Sequence, residues 1–282
     1  MNYLSEKTIN LRGKLHSWEH PMVMGILNIT PDSFFDGGQY QLQADILKRC
    51  ESILLEGVEI IDIGAYSSRP GAENVSGEEE LKRLSTALTW IRKEYPNTII
   101  SVDTFRASVA EEVVKNFEVD IINDIAAGEL DNKMFETVAR LNVPYVMMHM
   151  KGTPQSMQQN PKYNNLIQEI SNYFAKKVEQ LSYLGVNDII IDPGFGFGKT
   201  LEHNYQLLKE LTQLHLFQLP ILVGVSRKSM IYKLLEVEPK DALNGTSVLN
   251  TVALLNGANI LRVHDVKEAV ECVKLVQQLQ NA

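Results

Sequence analysis

Short apolar runs punctuate the chain, and each leads into a polar residue. Asn28 closes Val23-Met24-Gly25-Ile26-Leu27, Asp62 and Gly64 close the run that begins Glu59-Ile60-Ile61, and Asp103 closes Ile99-Ile100-Ser101-Val102. Asn123 follows Asp120-Ile121-Ile122, His149 follows Tyr145-Val146-Met147-Met148, and Asp192 follows Ile189-Ile190-Ile191. Ser226 comes after Ile221-Leu222-Val223, and Arg262 and His264 come after Ile260-Leu261. Between these runs lie longer stretches whose apolar positions recur at spacings of three and four, as one face of a helix requires. They span 40–56, 77–94, 106–117, 131–141, 164–184, 200–214, 241–257 and 265–280, and a further helix opens after Ser226. Strand-like runs alternating with helices predict a parallel sheet covered by helices. Eight such repeats predict one (β/α)8 barrel over residues 1–282, with residues 1–21 covering its base. The polar endings then meet on the rim where such barrels keep their chemistry. A doubly wound open sheet competes, but it carries G-x-G-x-x-G at its first strand–helix turn. Here that turn reads Asn28-Ile29-Thr30-Pro31-Asp32-Ser33.

Composition narrows the partners rather than the fold. A net charge of −8 argues against nucleic acid, which demands a basic face. It leaves room for a small anionic substrate held by a few cations in one cleft. The two cysteines, Cys50 and Cys272, form neither a metal spacing nor a disulfide framework. The start of the chain lacks a basic segment leading into an apolar one, and no window approaches a membrane span. A cytoplasmic protein with no membrane partner is the expectation.

The run Asp192-Pro193-Gly194-Phe195-Gly196-Phe197-Gly198-Lys199-Thr200 invites a phosphate-loop reading, but Pro193 stands where the first glycine of that loop belongs. A tight turn bringing backbone close to a flat ligand, with Phe197 as a wall, fits better. Asp103, Asn123 and Asp192 could each merely cap a helix. Converging, they offer acceptors and donors to an amino-pyrimidinone edge, or oxygens to a hard cation. Ser226-Arg227-Lys228-Ser229 and Arg262-Val263-His264 follow the last two strands, where barrels often bind phosphate. Ser67, Ser68 and Arg69 add donors after the second strand. His149, between two methionines, reads as a packed structural residue. Long connections at 30–39, 66–76 and 150–163 read as binding loops or lids.

Six stretches together resemble the dihydropteroate synthase family: Gly25 through Phe34, Ser101-Val102-Asp103-Thr104, Met148 through Pro154, Asp192 through Lys199, Ser226 through Ser229, and Arg262-Val263-His264-Asp265. They occur in family order from about residue 22 onward. That family is a (β/α)8 barrel joining 6-hydroxymethyl-dihydropterin pyrophosphate to para-aminobenzoate, with release of pyrophosphate. The resemblance implies that Asp103, Asn123, Asp192 and Lys228 hold the pterin between Met148 and Phe197. It implies that Arg262 stacks on the ring and binds phosphate with His264 and Ser68. Asn28 would help hold Mg2+, and Phe34, Pro70 and Ser226 would line the aminobenzoate pocket. Asp103, Asp192, Lys228 and Arg262 would carry the catalysis, and a homodimer is expected. Where many members read Gly-Glu-Ser-Thr-Arg-Pro-Gly, this chain reads Ala65-Tyr66-Ser67-Ser68-Arg69-Pro70-Gly71. Two other readings share the floor: a pterin-binding methyltransferase module of the corrinoid type, which does not need the phosphate cluster, and a non-catalytic pterin-binding paralogue.

Overall fold

Eight strands carry the apolar runs: β3 (Met22–Asn28), β4 (Ile60–Gly64), β5 (Ile99–Asp103), β6 (Ile121–Asp124), β7 (Tyr145–Met148), β8 (Ile189–Asp192), β9 (Leu222–Val223) and β10 (Ile260–Val263). In this computed structural model, residues 8–29, 38–66, 75–152 and 161–282 are described. The strands pair in parallel in the order β8-β7-β6-β5-β4-β3-β10-β9. A parallel bridge between Ile191 and Ile221 brings the two ends together, so the sheet closes into the predicted barrel.

Period-two alternation sorts each strand. In β4, Ile61 and Ile63 join the cluster packed under the helices, while Ile60 faces the interior. Ile122 and Ile121, Met147 and Val146, and Ile191 and Ile190 divide the same way. The interior therefore fills from the bottom with Met24, Ile60, Ile121, Val146, Ile190, Leu222 and Ile260. One step further up β4, β6, β8 and β10 the inward position turns polar, at Asp62, Asn123, Asp192 and Arg262.

An antiparallel hairpin, β1 (Thr8–Leu11) and β2 (Lys14–Ser17), adds Ile9 and Leu11 to that lower cluster, and Trp18 follows. The hairpin turn Arg12-Gly13 has φ of 54° and 75°, the left-handed geometry that two-residue hairpins use. The expectation that the N-terminal segment covers the base thus holds for residues 8–18.

The helices are α1 (Gly38–Leu55), α2 (Gly77–Glu94), α3 (Ala107–Phe117), α4 (Met134–Leu141), α5 (Leu166–Tyr183), α6 (Leu201–Lys209), α7 (Ser229–Leu235), α8 (Leu243–Leu255) and α9 (Val266–Gln280). The helix expected over 200–214 divides. At Glu210 the backbone N–H bonds to both Gln206 and Leu208, which tightens the coil, and Leu211–Phe217 continues as a 3-10 helix. The helix expected over 241–257 is shorter, being entered from a 3-10 turn at Pro239–Asp241.

Candidate active site at the barrel mouth

The first polar layer above the plug is built from side chains two strands apart. Asp62 of β4 is fully buried, with no exposed surface (0%). Its Oδ2 accepts from Nε of Arg262 (2.6 Å) on β10 and from Nδ2 of Asn123 (3.2 Å) on β6. Arg262 Nη2 lies 2.6 Å from the same oxygen and 2.9 Å from Asp103 Oδ2. One guanidinium is therefore shared by two carboxylates. Burial works against the Arg262 cation, yet Asp62 and Asp103 outweigh it and hold the group above its usual range. Asp103 is pushed up to about 7, chiefly by burial, with Asp62 adding to the rise and Arg262 opposing it.

Asp192, the inward residue at the end of β8, lies under a glycine-rich turn. Its Oδ1 accepts from Gly194 N at 2.7 Å. Burial raises its carboxyl, and Lys228, Gly194 N and Arg262 draw it back down. Burial lowers Lys228 to about 8 against the pull of Asp192. The Lys228 ammonium donates to Phe195 O, sits 4.8 Å from the Phe197 ring centroid, and flanks Gly224 beside Arg262. Met148 and Phe197 meet in a small apolar cluster with Ile125, Ala126, Met150 and Phe105. The mouth thus joins carboxylates, amide and cations with an apolar wall.

The turn itself depends on glycine. Gly194 has φ +73°, and a Cβ there would fall 1.9 Å from His149 O. Lys199 points inward rather than to a phosphate. Its Nζ lies 3.0 Å from His149 Nδ1 and donates to Gly194 O (2.9 Å) and Phe197 O (3.1 Å). Burial lowers Lys199 to about 7, and it lowers His149 to about 2. His149 is the packed residue its sequence context predicted.

Comparison with known proteins agrees with this geometry. The profile of the pterin binding enzyme family matches residues 24–264. The chain is 43% identical over 265 residues to the dihydropteroate synthase of Escherichia coli (strain K12), covering 93% of each. It is 41% identical to that of Haemophilus influenzae, covering 93% of this chain and 95% of the relative. The chain belongs to the dihydropteroate synthase family. The crystal structure of the Yersinia pestis dihydropteroate synthase with a sulfonamide drug complex superimposes with a TM-score of 0.91 at 41% identity, over 98% of this chain and 100% of that one.

In this dihydropteroate synthase fold, Asn28, Asp103, Asn123, Met148, Asp192, Phe197, Lys228 and Arg262 gather at one mouth. Asn28 Oδ1 and Asp103 Cβ lie 3.4 and 3.7 Å from the point where a Gly64 Cβ would stand, which puts them side by side. Ser226 Oγ is 3.1 Å from His264 Nδ1 and accepts from His264 N at 3.2 Å, so these two residues form a unit on neighbouring strand ends. Phe34, Ser68 and Pro70 lie outside the described residues, as does most of the three long connections. Arg227 of the basic run is committed elsewhere: its Nε and Nη2 grip Asp265 at 2.9 and 2.6 Å. Tyr66, which departs from the common family pattern, meets the Phe105 ring edge-on at 5.3 Å and the Arg106 guanidinium at 5.5 Å. Asp62 and Lys199 are the residues that reading the sequence left without a role. The signal for Asp62 was present, because Ile60, Asp62 and Gly64 share the inner face of one strand.

Proposed function

We propose that the chain condenses 6-hydroxymethyl-7,8-dihydropterin pyrophosphate with para-aminobenzoate, giving 7,8-dihydropteroate and pyrophosphate. The relatives' synthase names favour this over a corrinoid-type methyltransferase module. The observation that carries the reading is one mouth with a carboxylate and amide floor and cations beside it. Asp103, Asn123 and Asp192 match the donors of a pterin edge, and Lys228 meets its carbonyl side. Met148 and Phe197 close on the ring faces. Arg262 stacks on the ring and, with His264 and Ser68, takes the diphosphate. Phe34, Pro70 and Ser226 line the aminobenzoate pocket.

The reaction follows a dissociative, SN1-like course. Breaking the C–O bond leaves positive charge delocalised into the pterin. Asp103 and Asp192 are fixed in place to stabilise that charge, while Arg262 and His264 stabilise the departing anion. The aniline nitrogen attacks as a neutral nucleophile, so the chain needs no strong base. Among the described residues no His, Cys, Asp and Glu cluster forms a metal cage. Mg2+ is commonly bound by one or two protein oxygens together with substrate phosphates. Asn28 Oδ1, beside Asp103, would be such an oxygen, and the ion would supply charge neutralisation on the diphosphate.

The same proposal includes a homodimer and a cytoplasmic location, where the buried thiols Cys50 and Cys272 stay reduced. The deciding experiment is pyrophosphate release by the purified protein, expected to require both aminobenzoate and Mg2+. No aminobenzoate-dependent release overturns the reading. Positional isotope exchange within unreacted pterin pyrophosphate, without aminobenzoate, is the expected mark of the dissociative course.

A further inference from the structure

Asp62 takes no part in the roles above, yet it is the best-connected acid in the barrel mouth. In the sheet order β6-β5-β4-β3-β10, its strand lies two strands from each of the partners it holds. It reaches Asn123 in one direction and Arg262 in the other. All three donors converge on Oδ2, while Oδ1 is buried without a hydrogen-bond partner among the described residues. Its lack of exposed surface, beneath the Arg262 guanidinium, keeps it from meeting a substrate directly.

The sharing of Arg262 explains what such a residue does. Asp103 gives Arg262 Nη2 one contact of 2.9 Å, from the carboxylate that in the proposed site also accepts from the pterin. Asp62 gives the guanidinium two contacts of 2.6 Å that the ligand does not contest. With Asp62 as its permanent counter-ion, Arg262 can release Asp103 without being left buried and unpaired, a state that is strongly disfavoured. Without Asp62, Arg262 would hold Asp103 as its sole anchor, and the ring would compete with an internal cation for its own acceptor.

We infer that Asp62 is a positioning residue that anchors Arg262 and Asn123 and thereby keeps Asp103 available to the pterin. The inference rests on the pterin-site reading and deepens it.

The test is a double-mutant cycle read by pterin binding and by steady-state kinetics. Asp62→Asn keeps the side chain's size and removes its charge. It is expected to raise KM for the pterin substrate ten- to hundredfold while leaving KM for aminobenzoate within twofold. Arg262→Met removes the cation, and in that background adding Asp62→Asn should change the Kd for 6-hydroxymethylpterin by no more than about threefold. This second comparison stands even if Asp62→Asn alone does not fold, because it sets Arg262→Met against the double variant, and both lose the Arg262–Asp103 pair alike. If the two losses multiply, or if Asp62→Asn binds like the unaltered protein, Asp62 is not the anchor. Equal rises in KM for both substrates likewise overturn it, since a general loosening of the fold has that effect. Failure of the unaltered protein to bind any pterin sinks the underlying reading instead, and the inference with it.

Discussion

At the scale of single residues, the mouth is governed by burial set against pairing. Asp103 is raised to about 7 by burial, and Lys228 is lowered to about 8 by the same cause. An acceptor at Asp103 requires the carboxylate, so pterin capture improves as pH rises through about 7. Balance for Asp192 requires the Lys228 ammonium, so capture declines as pH rises through about 8. The expected kcat/KM profile for the pterin substrate is a narrow bell between these values. Asp103→Asn should erase the acid limb and Lys228→Arg the alkaline one, and limbs unmoved in both variants would separate these groups from the chemistry. Arg262→Ala and Asp192→Ala each remove a fixed charge partner of the reacting system, at a cost of about 2–4 kcal/mol in kcat/KM. Near-normal turnover of either purified variant contradicts the assignment. Lys199 shows the same balance in a structural setting. Lys199→Met would leave Phe197 O without its donor, at roughly 1–3 kcal/mol for that buried group, and Gly194 O with Phe197 N alone. Relief of the buried ammonium offsets part of this, so a loss of about 2 kcal/mol is expected in denaturant unfolding. An unchanged midpoint would show that the turn holds itself.

At the scale of elements, the base of the barrel depends on side chains that tie strands to the helices beside them. Arg92, near the end of α2, donates to the carbonyls of Thr98, Phe117 and Glu118 and to Asp120 Oδ2 at 2.9 Å. Asp120 in turn accepts from Ile100 N at 2.8 Å and pairs with Arg12 at 3.2 Å. Arg92→Met should cost about 3 kcal/mol, the lower end for a broken buried pair, because Arg12 still answers Asp120. Thermal unfolding checks it, and a change within experimental error would mean the backbone alone fixes this corner. The strands were legible in the sequence because a barrel wall is buried on both faces, so each strand is a short continuous apolar run. The site was legible where a polar residue ends such a run, as at Asp103, Asn123 and Asp192. Asp62 was not assigned, because its partners lie on strands distant in sequence and only the closed sheet brings them near. Arg227 and Lys228 are adjacent in sequence, yet one is clamped by Asp265 and the other enters the mouth. Arg227 has φ +54°, a turn geometry that period alone does not report. The split of the 200–214 helix was hidden for a related reason, since α and 3-10 coils share their apolar spacing over so few residues.

At the scale of the whole molecule, α7 and α8 leave apolar side chains exposed among the described residues. Leu234 and Leu235 at the end of α7 are 55% and 51% exposed, and Val248 and Leu255 of α8 are 54% and 50% exposed. Val248 and Leu255 stand seven residues apart and so share one helix face. The two helices are already pressed together, since a Cβ on Gly245 would come 2.3 Å from the Ile231 side chain. The remaining apolar faces therefore point outward from a rigid pair. A second copy related by a two-fold axis covers such a patch with the same patch, the commonest closed arrangement of identical chains. The protein is expected to sediment as a dimer, and Leu235→Glu with Val248→Glu should shift it to monomer by placing like charges across the axis. A monomeric mass for the unaltered chain rules the dimer out. Lys228 enters the mouth at the start of α7, whereas Leu234 and Leu235 stand at the far end of that helix. The dissociated variant is accordingly expected to keep its kcat/KM for the pterin substrate within about threefold while losing thermal stability, because burial on association stabilises only the folded state.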